Sequence, residues 1–432
     1  MKILFSTPAI LKPLGQGAAT VLNLHIFNYL IKSSHEVHVL YTTLEEVTPD
    51  PDEKACLDIG ASSVTTIVVP AVQLTGKEDP LTRRIKRFLG TRKQVKYVED
   101  MTAKAVRKID PEICFVFTET IYYIAGLRGY PVFAWLSNQQ IPHRKIQTDI
   151  GWYKLFRSTW LARLYYPLWE RLHLAQYKRW VNQVDLGICP SAWYGEIYKK
   201  LAARPQSIRV IDHPAIDEAD QIERIDPSAT LKNSPYKIAI VGHLIGTFNV
   251  AAFIFLAKEI LPELDRQGLS EKFEFYLIGK GDLPPEAAAL KDNPNIKYAG
   301  FIKNLAEAVN QSDAVLQAMP YAPGVGARLS TITSMYPALI LHRVVEENLK
   351  EFKSGENCIS ASSGPEFVEA LKRVCSDRDL NQRLRIGARR LYDKRYTFDI
   401  FENILEQSFQ DMSYTHKSDA NQTGRPKPSE QC

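Results

Sequence analysis

The stretch AVLQAMPYAPGVGARLSTITSMYPALILHR, residues 314 to 343, contains a strand, a turn, a helix and a second strand. Its two ends, AVLQAMP and ALILHR, are short apolar runs that predict buried parallel strands. Between them, a turn with glycines at 324 and 326 precedes a helix that begins near Leu329. Such a strand–helix–strand unit is the repeating element of a doubly wound α/β sheet.

The same alternation continues on both sides of this unit. In the second half of the chain, the further strand candidates are YKIAIVG, FEFYLIG, IKYAGF and CISAS. In the first half they are KILFS, EVHVLYT, VTTIVVP, ICFVFT, PVFAWLS, LGICPS and IRVID. The sequence therefore predicts two α/β domains of similar size, with a ligand site in the cleft between them.

The polar segment 217–235 has no apolar period and is predicted to link the two domains. The first domain is assigned to residues 1–216 and the second to 236–396. A helix over 397–412 is expected to cross back onto the first domain. The polar tail 413–432 is expected to be disordered.

Composition is that of a globular protein: 432 residues, 45% hydrophobic and 24% charged, with a net charge of +5. This charge is too small to indicate nucleic-acid binding, and no nucleic-acid motif is present. Six scattered cysteines without CxxC spacing predict reduced thiols, with neither a disulfide framework nor a metal site. The first residues are too short an apolar run for a secretory signal, so a cytoplasmic protein is expected.

The turn at 324–326 has the features of a phosphate site. Its glycines let backbone amides face outward, and the helix that follows has a partially positive N-terminus. Arg328 adds a forked cation suited to a diphosphate, and Ser330, Thr331 and Thr333 add hydroxyl groups. The alternative is that the hydroxyls only cap the helix and that Arg328 is solvated. Nicotinamide binding is not indicated, because Pro284 replaces the third glycine of GKGDLP.

Residues 236–410 resemble the retaining GT-B glycosyltransferases of the family-four type, the glycosyl transferases group 1. The segments that carry the resemblance are YKIAIVGHLIGTFNVAAFIFLAKEILPEL, FEFYLIGKGD, IKYAGFIKNLAEAVNQSDAVLQAMPY, GVGARLSTITSMYPALILHRV and the stretch from FKSGENC to FENIL. The first half is similar more loosely, through KILFSTP, GQGAAT and HEVHVL. The resemblance implies two Rossmann-like domains facing across a cleft.

It also implies transfer of a sugar from a nucleotide diphosphate sugar to an acceptor, with retention of configuration and without a metal or other cofactor. The donor would lie in the second domain and a saccharide or lipid-linked acceptor in the first. The implied donor contacts are Gly15, Gln16, Gly17, Gly242, His243, Asn249, Phe301, Ile302, Gly324, Val325, Gly326, Arg328, Ser330, Thr331 and Thr333.

The sequence departs from the family pattern at its charged positions. His243 and Asn249 stand where the family has an arginine and a lysine. Val325 and Thr333 stand in place of its two glutamates, and Ser330 in place of a lysine, so that Arg328 alone is kept. Three interpretations remain open: an enzyme that binds the diphosphate through hydroxyls and a helix terminus, an enzyme with an unusual donor, and a non-catalytic protein on the same fold that binds a partner.

His143 and Asn138 are the catalytic candidates, because they follow the strand PVFAWLS and would face the cleft from the acceptor side. A surface histidine is the alternative. The basic, aromatic stretches 81–97 and 144–180 predict contact with an acceptor or with the inner face of a membrane. A helix whose tryptophans pack on the sheet is equally open. The residues proposed for this contact are Arg83, Arg84, Trp152, Lys154, Trp160 and Arg163.

Overall fold

The computed structural model describes residues 1–7, 17–44, 53–69, 80–117, 126–137, 140–152, 154, 158–221, 235–322 and 326–423. Within them the chain forms two parallel sheets flanked by helices, and every strand candidate of the sequence is found in one of them. The predicted doubly wound α/β fold is confirmed.

The first sheet has seven described strands in the order β3-β2-β1-β4-β5-β6-β7. They are β1 (Lys2–Thr7), β2 (Glu36–Leu44), β3 (Ser63–Val69), β4 (Ile113–Phe117), β5 (Val132–Trp135), β6 (Leu186–Cys189) and β7 (Ile208–Val210). Its helices are α1 (Gly17–Lys32), α2 (Glu53–Ile59), α3 (Pro80–Ile109), α4 (Gln140–Asp149), α5 (Thr159–Val181) and α6 (Ala192–Leu201). The central strands β4, β5 and β6 are buried throughout, as their continuous apolar runs predict.

The second sheet has six described strands in the order β10-β9-β8-β11-β12-β13. They are β8 (Tyr236–Val241), β9 (Phe273–Ile278), β10 (Ile296–Gly300), β11 (Ala314–Gln317), β12 (Leu339–His342) and β13 (Ile359–Ala361). Its helices are α7 (Thr247–Phe255), α8 (Leu261–Arg266), α9 (Leu305–Asn310), α10 (Ala327–Ser334), α11 (Arg343–Asn348), α12 (Gly364–Ser376) and α13 (Arg378–Arg395). Because β8 and β11 are neighbours, the turns that follow them meet at the carboxyl edge of the sheet.

The last helix, α14 (Phe398–Thr423), leaves the second domain and packs on the first. Phe401, Leu405 and Phe409 are buried among the first-sheet core residues, and the ring of Phe409 lies 4.7 Å from that of Phe133. A hydrogen bond flanks this contact, because Oε1 of Glu402 lies 2.7 Å from Nε2 of His25. The C-terminal helix therefore joins the two domains by its apolar face.

Two predicted segments look different in the structure. Of the tail 413–432, predicted as disordered, residues 413–423 continue α14, because each added helical residue forms one more hydrogen bond on an existing helix, and 424–432 lie outside the described residues. In the predicted linker, Glu218–Gln221 forms a short helical turn, and Asp217 is paired with Arg389 of α13 at 2.5 Å. The exact domain limits stay a prediction.

The five described cysteines are all buried, and none of them forms a disulfide bond within the described residues. No helix in the described part of the chain is long and apolar enough to cross a membrane.

Candidate donor site

The turn after β8 is shaped by Gly242. Its φ of 144° lies in the region that favours glycine. A β-carbon at this position would lie 2.5 Å from Nδ2 of Asn249 and 2.9 Å from Cζ of Arg328. Glycine is therefore needed for two reasons, backbone conformation and the close approach of Arg328.

Arg328 is held by neutral groups. One guanidinium nitrogen donates to Oδ1 of Asn249 and, over 3.3 Å, to Oε1 of Gln317. Asn249 is oriented in turn by its Nδ2, which donates to the backbone carbonyl of His243 over 2.5 Å. Among the described residues no carboxylate pairs with Arg328.

Burial lowers the pKa of Arg328 to about 10, which still leaves the group charged at neutral pH. A desolvated cation without a counter-charge is unfavourable by itself. The arrangement therefore favours an anion beside the guanidinium.

Helix α10 begins at the same place. Gly326 precedes its first residue with a φ of 70°, and the backbone amides of the first turn lack partners within the helix. Such amides and the positive end of the helix dipole bind phosphate groups well. Arg328 lies in this first turn, so the cation and the amides are placed to bind the same anion.

These groups line a cavity of about 570 Å³ in the second domain. Seven of the predicted donor contacts line it: Gly242, His243, Phe301, Ile302, Gly326, Arg328 and Thr331. The cavity size falls in the usual range for small-molecule sites. Phe301 is 68% exposed, and Nζ of Lys280 lies 4.6 Å from its ring centroid.

Three predicted donor contacts of the second domain, within its described residues, do not line this cavity. Asn249 is buried behind Arg328 and acts by holding it. Ser330 and Thr333 are buried, and their hydroxyls donate to the carbonyls of Ala327 (2.9 Å) and Ser330 (2.8 Å). The expected hydroxyl donors are thus used by the helix itself, as serine and threonine within helices commonly are.

Thr331 lines the cavity, but its hydroxyl also donates to the carbonyl of Ala327 over 3.0 Å. Gly15, Gln16, Asn138, Gly324 and Val325 lie outside the described residues, and Gly17 is the first residue of α1.

His143 lies on α4 rather than in a loop. Helix α4 packs against α7 of the other domain, and the His143 ring stands 4.9 Å from that of Phe248, which lines the donor cavity. Burial lowers the pKa of His143, and its Nε2 is buried without a hydrogen-bond partner among the described residues. A neutral imidazole therefore stands at the boundary between the domains, next to the cavity.

The residues proposed for membrane or acceptor contact are placed unequally. Trp160 is 65% exposed, and Lys154 and Arg163 are exposed too, whereas Trp152 is half-buried. Trp180 belongs to the core of the first domain, so sheet packing accounts for that tryptophan. Arg83 and Arg84 lie on α3, and their side chains are outside the description.

Sequence reasoning missed Gln317, Lys280 and Phe248 as members of the site. Gln317 ends β11 and reaches Arg328 only because β8 and β11 are adjacent. Lys280 lies in the glycine turn GKG, but a single lysine in such a turn does not by itself predict contact with a ligand.

Residues 235–377 match the family model of the glycosyl transferases group 1. No curated protein matches the chain by sequence. Among solved structures, Anabaena HepE in complex with UDP and glucose is 11% identical with a TM-score of 0.57, over 95% of this chain and 100% of HepE. A glycosyltransferase from Rickettsia africae is 11% identical with a TM-score of 0.60, over 95% and 98%.

The lipopolysaccharide outer core galactosyltransferase WaaB is 15% identical with a TM-score of 0.58, over 96% of this chain and 100% of WaaB. At these identities the structural likeness is one of fold. The solved neighbours therefore share the predicted GT-B fold with this chain, and the glycosyl transferases group 1 model matches its second domain. The match to glycosyl transferases group 1 lies in the second domain, which holds the donor cavity and Arg328.

Proposed function

We propose that the protein transfers a sugar from a nucleotide diphosphate sugar in the donor cavity to a saccharide or lipid-linked acceptor held by the first domain. The proposal rests on the family match of the second domain and on the cavity at the carboxyl edge of its sheet. It is further supported by HepE, a protein of the same fold solved with UDP and glucose.

The observation that carries the proposal is the environment of Arg328. Its charge is buried against two neutral amides and points into the cavity beside the N-terminus of α10. A diphosphate supplies the negative charge that this arrangement lacks. Bidentate arginine contacts are well suited to that group.

In the proposed reaction the nucleoside diphosphate leaves with increased negative charge. Arg328 and the amides of α10 are preorganised to stabilise this charge, and Lys280 lies at the rim of the same cavity. Metal independence is part of the proposal, because these groups can supply the positive charge. Retention of configuration follows the family resemblance.

His143 would act from the acceptor side. Its neutral ring can donate or accept one hydrogen bond through Nε2, depending on the tautomer. We propose that it positions the transferred sugar rather than carrying a positive charge.

Titration of the protein with uridine, guanosine and adenosine diphosphates tests donor binding, because a ligand that binds only the folded state raises the melting temperature. One of the three should do so. A screen of the corresponding nucleotide sugars, with detection of the released diphosphate, then tests transfer. Binding without turnover in the presence of acceptors would favour a non-catalytic binding protein.

We further propose that the protein binds the membrane through the outer face of α5. This face carries an apolar row at intervals of four residues, which places its members on one side of the helix. The row consists of Trp160, Leu164, Leu168 and Leu172, which are 54–65% exposed. The exposed cations of the same helix are Arg163, Arg171, Lys178 and Arg179.

An apolar row flanked by cations and containing a tryptophan is typical of a helix lying in the interface of an anionic membrane. Vesicles of phosphatidylglycerol should therefore sediment with the protein at low salt, and vesicles of phosphatidylcholine much less. The double variant Leu164→Ser/Leu168→Ser should lose this binding, whereas Leu57→Ser, at a leucine 48% exposed on α2, should keep it. Equal sedimentation of all three proteins would overturn the assignment.

A further inference from the structure

A second cavity, of about 510 Å³, lies beside the donor site. Its walls come from α4, α5 and α6 of the first domain and from the segment 320–322 and Val344 of the second. They are mainly aromatic and aliphatic, as shown by Ile146, Tyr177, Trp193, Ile197 and Pro320. Apolar walls of this kind suit a ligand that gains from leaving water.

The two cavities are neighbours along the chain. Met319 lines the donor cavity, and the next three residues, 320–322, line the apolar one. Likewise Pro142 lines the apolar cavity, whereas the following His143 contacts Phe248 of the donor cavity. The hydroxyl of Tyr321 donates to Oδ2 of Asp149 over 3.2 Å, which holds this wall to the first domain.

The charged groups of the apolar cavity indicate the polar end of its ligand. Lys145 and Lys200 are lining residues and both are exposed, while Glu170 accepts a hydrogen bond from the hydroxyl of Tyr166 over 2.9 Å. Lys145 is paired with Asp149 at 3.3 Å, whereas Lys200 has no ion-pair partner among the described residues. Lys200 can therefore neutralise an anionic group at the rim of a mainly apolar space.

Helix α5 connects this cavity to the proposed membrane face. Tyr166, Glu170 and Leu174 face the cavity at intervals of four, while the apolar row that begins at Trp160 lies on the outer face of the same helix. An amphiphile at the surface touched by the outer face would thus be one helix thickness from the cavity.

We infer that this cavity is an acceptor subsite for an anionic amphiphile, with an apolar chain against the aromatic walls and a phosphate near Lys200. This inference rests on the proposed function, since it names the class of acceptor that receives the sugar.

Farnesyl phosphate is a suitable probe, because it joins a branched apolar chain to one phosphate and can be titrated below its micellar concentration in buffer without vesicles. It should bind the wild type, and neither inorganic phosphate nor UDP should displace it. Ile197→Trp places a large ring in the cavity and should weaken binding at least tenfold. The matched control Leu57→Trp adds the same ring on α2, outside this site, and should bind as the wild type does.

Absence of binding to the wild type, or equal binding by Ile197→Trp, would overturn the inference. Should Ile197→Trp fail to fold by circular dichroism, Ala322→Trp fills the cavity from the second domain and is expected to have the same effect. UDP titration of the same proteins keeps the two claims apart. If the wild type binds no nucleoside diphosphate, the donor site is contradicted, whereas farnesyl phosphate binding decides the subsite.

Discussion

Arg328 lies directly against Gly242, so that a β-carbon on this glycine would stand 2.9 Å from Cζ of the guanidinium. The two residues come from different turns, one after β8 and one at the start of α10. Their contact exists only because these turns meet at the edge of the second sheet. It places a half-buried cation in the lining of the donor cavity.

Gly242→Ala should weaken nucleotide binding, because the added methyl group displaces Arg328 and Asn249. We expect at least a tenfold rise in the Kd for the nucleoside diphosphate in calorimetry. Gly268→Ala is the control, since this glycine also has a positive φ (65°) but no atom within 4 Å of the β-carbon position. If both variants bind equally well, the contact does not position Arg328.

Replacement by methionine should reduce stability much more at Arg385 than at Arg328. Arg385 is 1% exposed and donates to the carbonyls of Asn310 and Tyr336, as well as to that of Ser312. Arg385→Met leaves these acceptors unpaired and should lower the free energy of unfolding by about 3 kcal/mol. Arg328→Met removes a charge without a counter-charge and leaves the amide oxygens of Asn249 and Gln317 without this donor beside a cavity that water can enter, so it should lower the stability of the ligand-free protein by less than about 1 kcal/mol.

Urea titration of both variants without nucleotide tests this contrast. A loss of several kcal/mol in Arg328→Met would assign this residue a structural role and would remove the argument that its charge awaits a ligand.

Thr333→Ala should leave nucleotide affinity within about twofold of the wild type. The reason is geometric: the Thr333 side chain is fully buried, and its hydroxyl donates to the carbonyl of Ser330 inside α10. Calorimetry with the nucleoside diphosphate is the measurement, with Thr333→Val as a variant of closer shape. A tenfold loss of affinity in both would show that the hydroxyl reaches the ligand.

Burial of His213 should make the free energy of unfolding decrease at acidic pH. It is buried after β7, and burial lowers its pKa from 6.5 to about 4. Between these pH values the unfolded chain binds the proton and the folded protein does not, so stability must fall as the pH is lowered. The contribution at pH 4 is up to about 3 kcal/mol.

His213→Gln should therefore show a flatter decline than the wild type in urea unfolding between pH 6.5 and pH 4. Other buried histidines also titrate between pH 4 and 6.5, but they are present in both proteins. The difference in how steeply the free energy of unfolding falls with pH therefore reports on His213. Parallel slopes would mean that its pKa is not depressed.

The sheets could be predicted from sequence because strands such as β4 and β9 are apolar runs of strand length. The segments between such runs have the length of helices, so the local patterns and the α/β fold agree. The orientation of the Ser330 and Thr333 hydroxyls could not, since capping and ligand contact require the same residue types. Leu164 and Leu168 have the spacing of a buried helix face, and only the fold shows that they point outward.

The central claim is that Arg328 binds the diphosphate of a nucleotide sugar, and the affinity of UDP for the wild type and Arg328→Met tests it most directly. The account predicts that the wild type binds UDP or another nucleoside diphosphate. It also predicts that Arg328→Met, with its fold intact, loses about 1.5 to 3 kcal/mol of binding free energy, the usual size of a charge-assisted contact. Equal affinities, or no affinity of the wild type for any nucleoside diphosphate, would contradict the account.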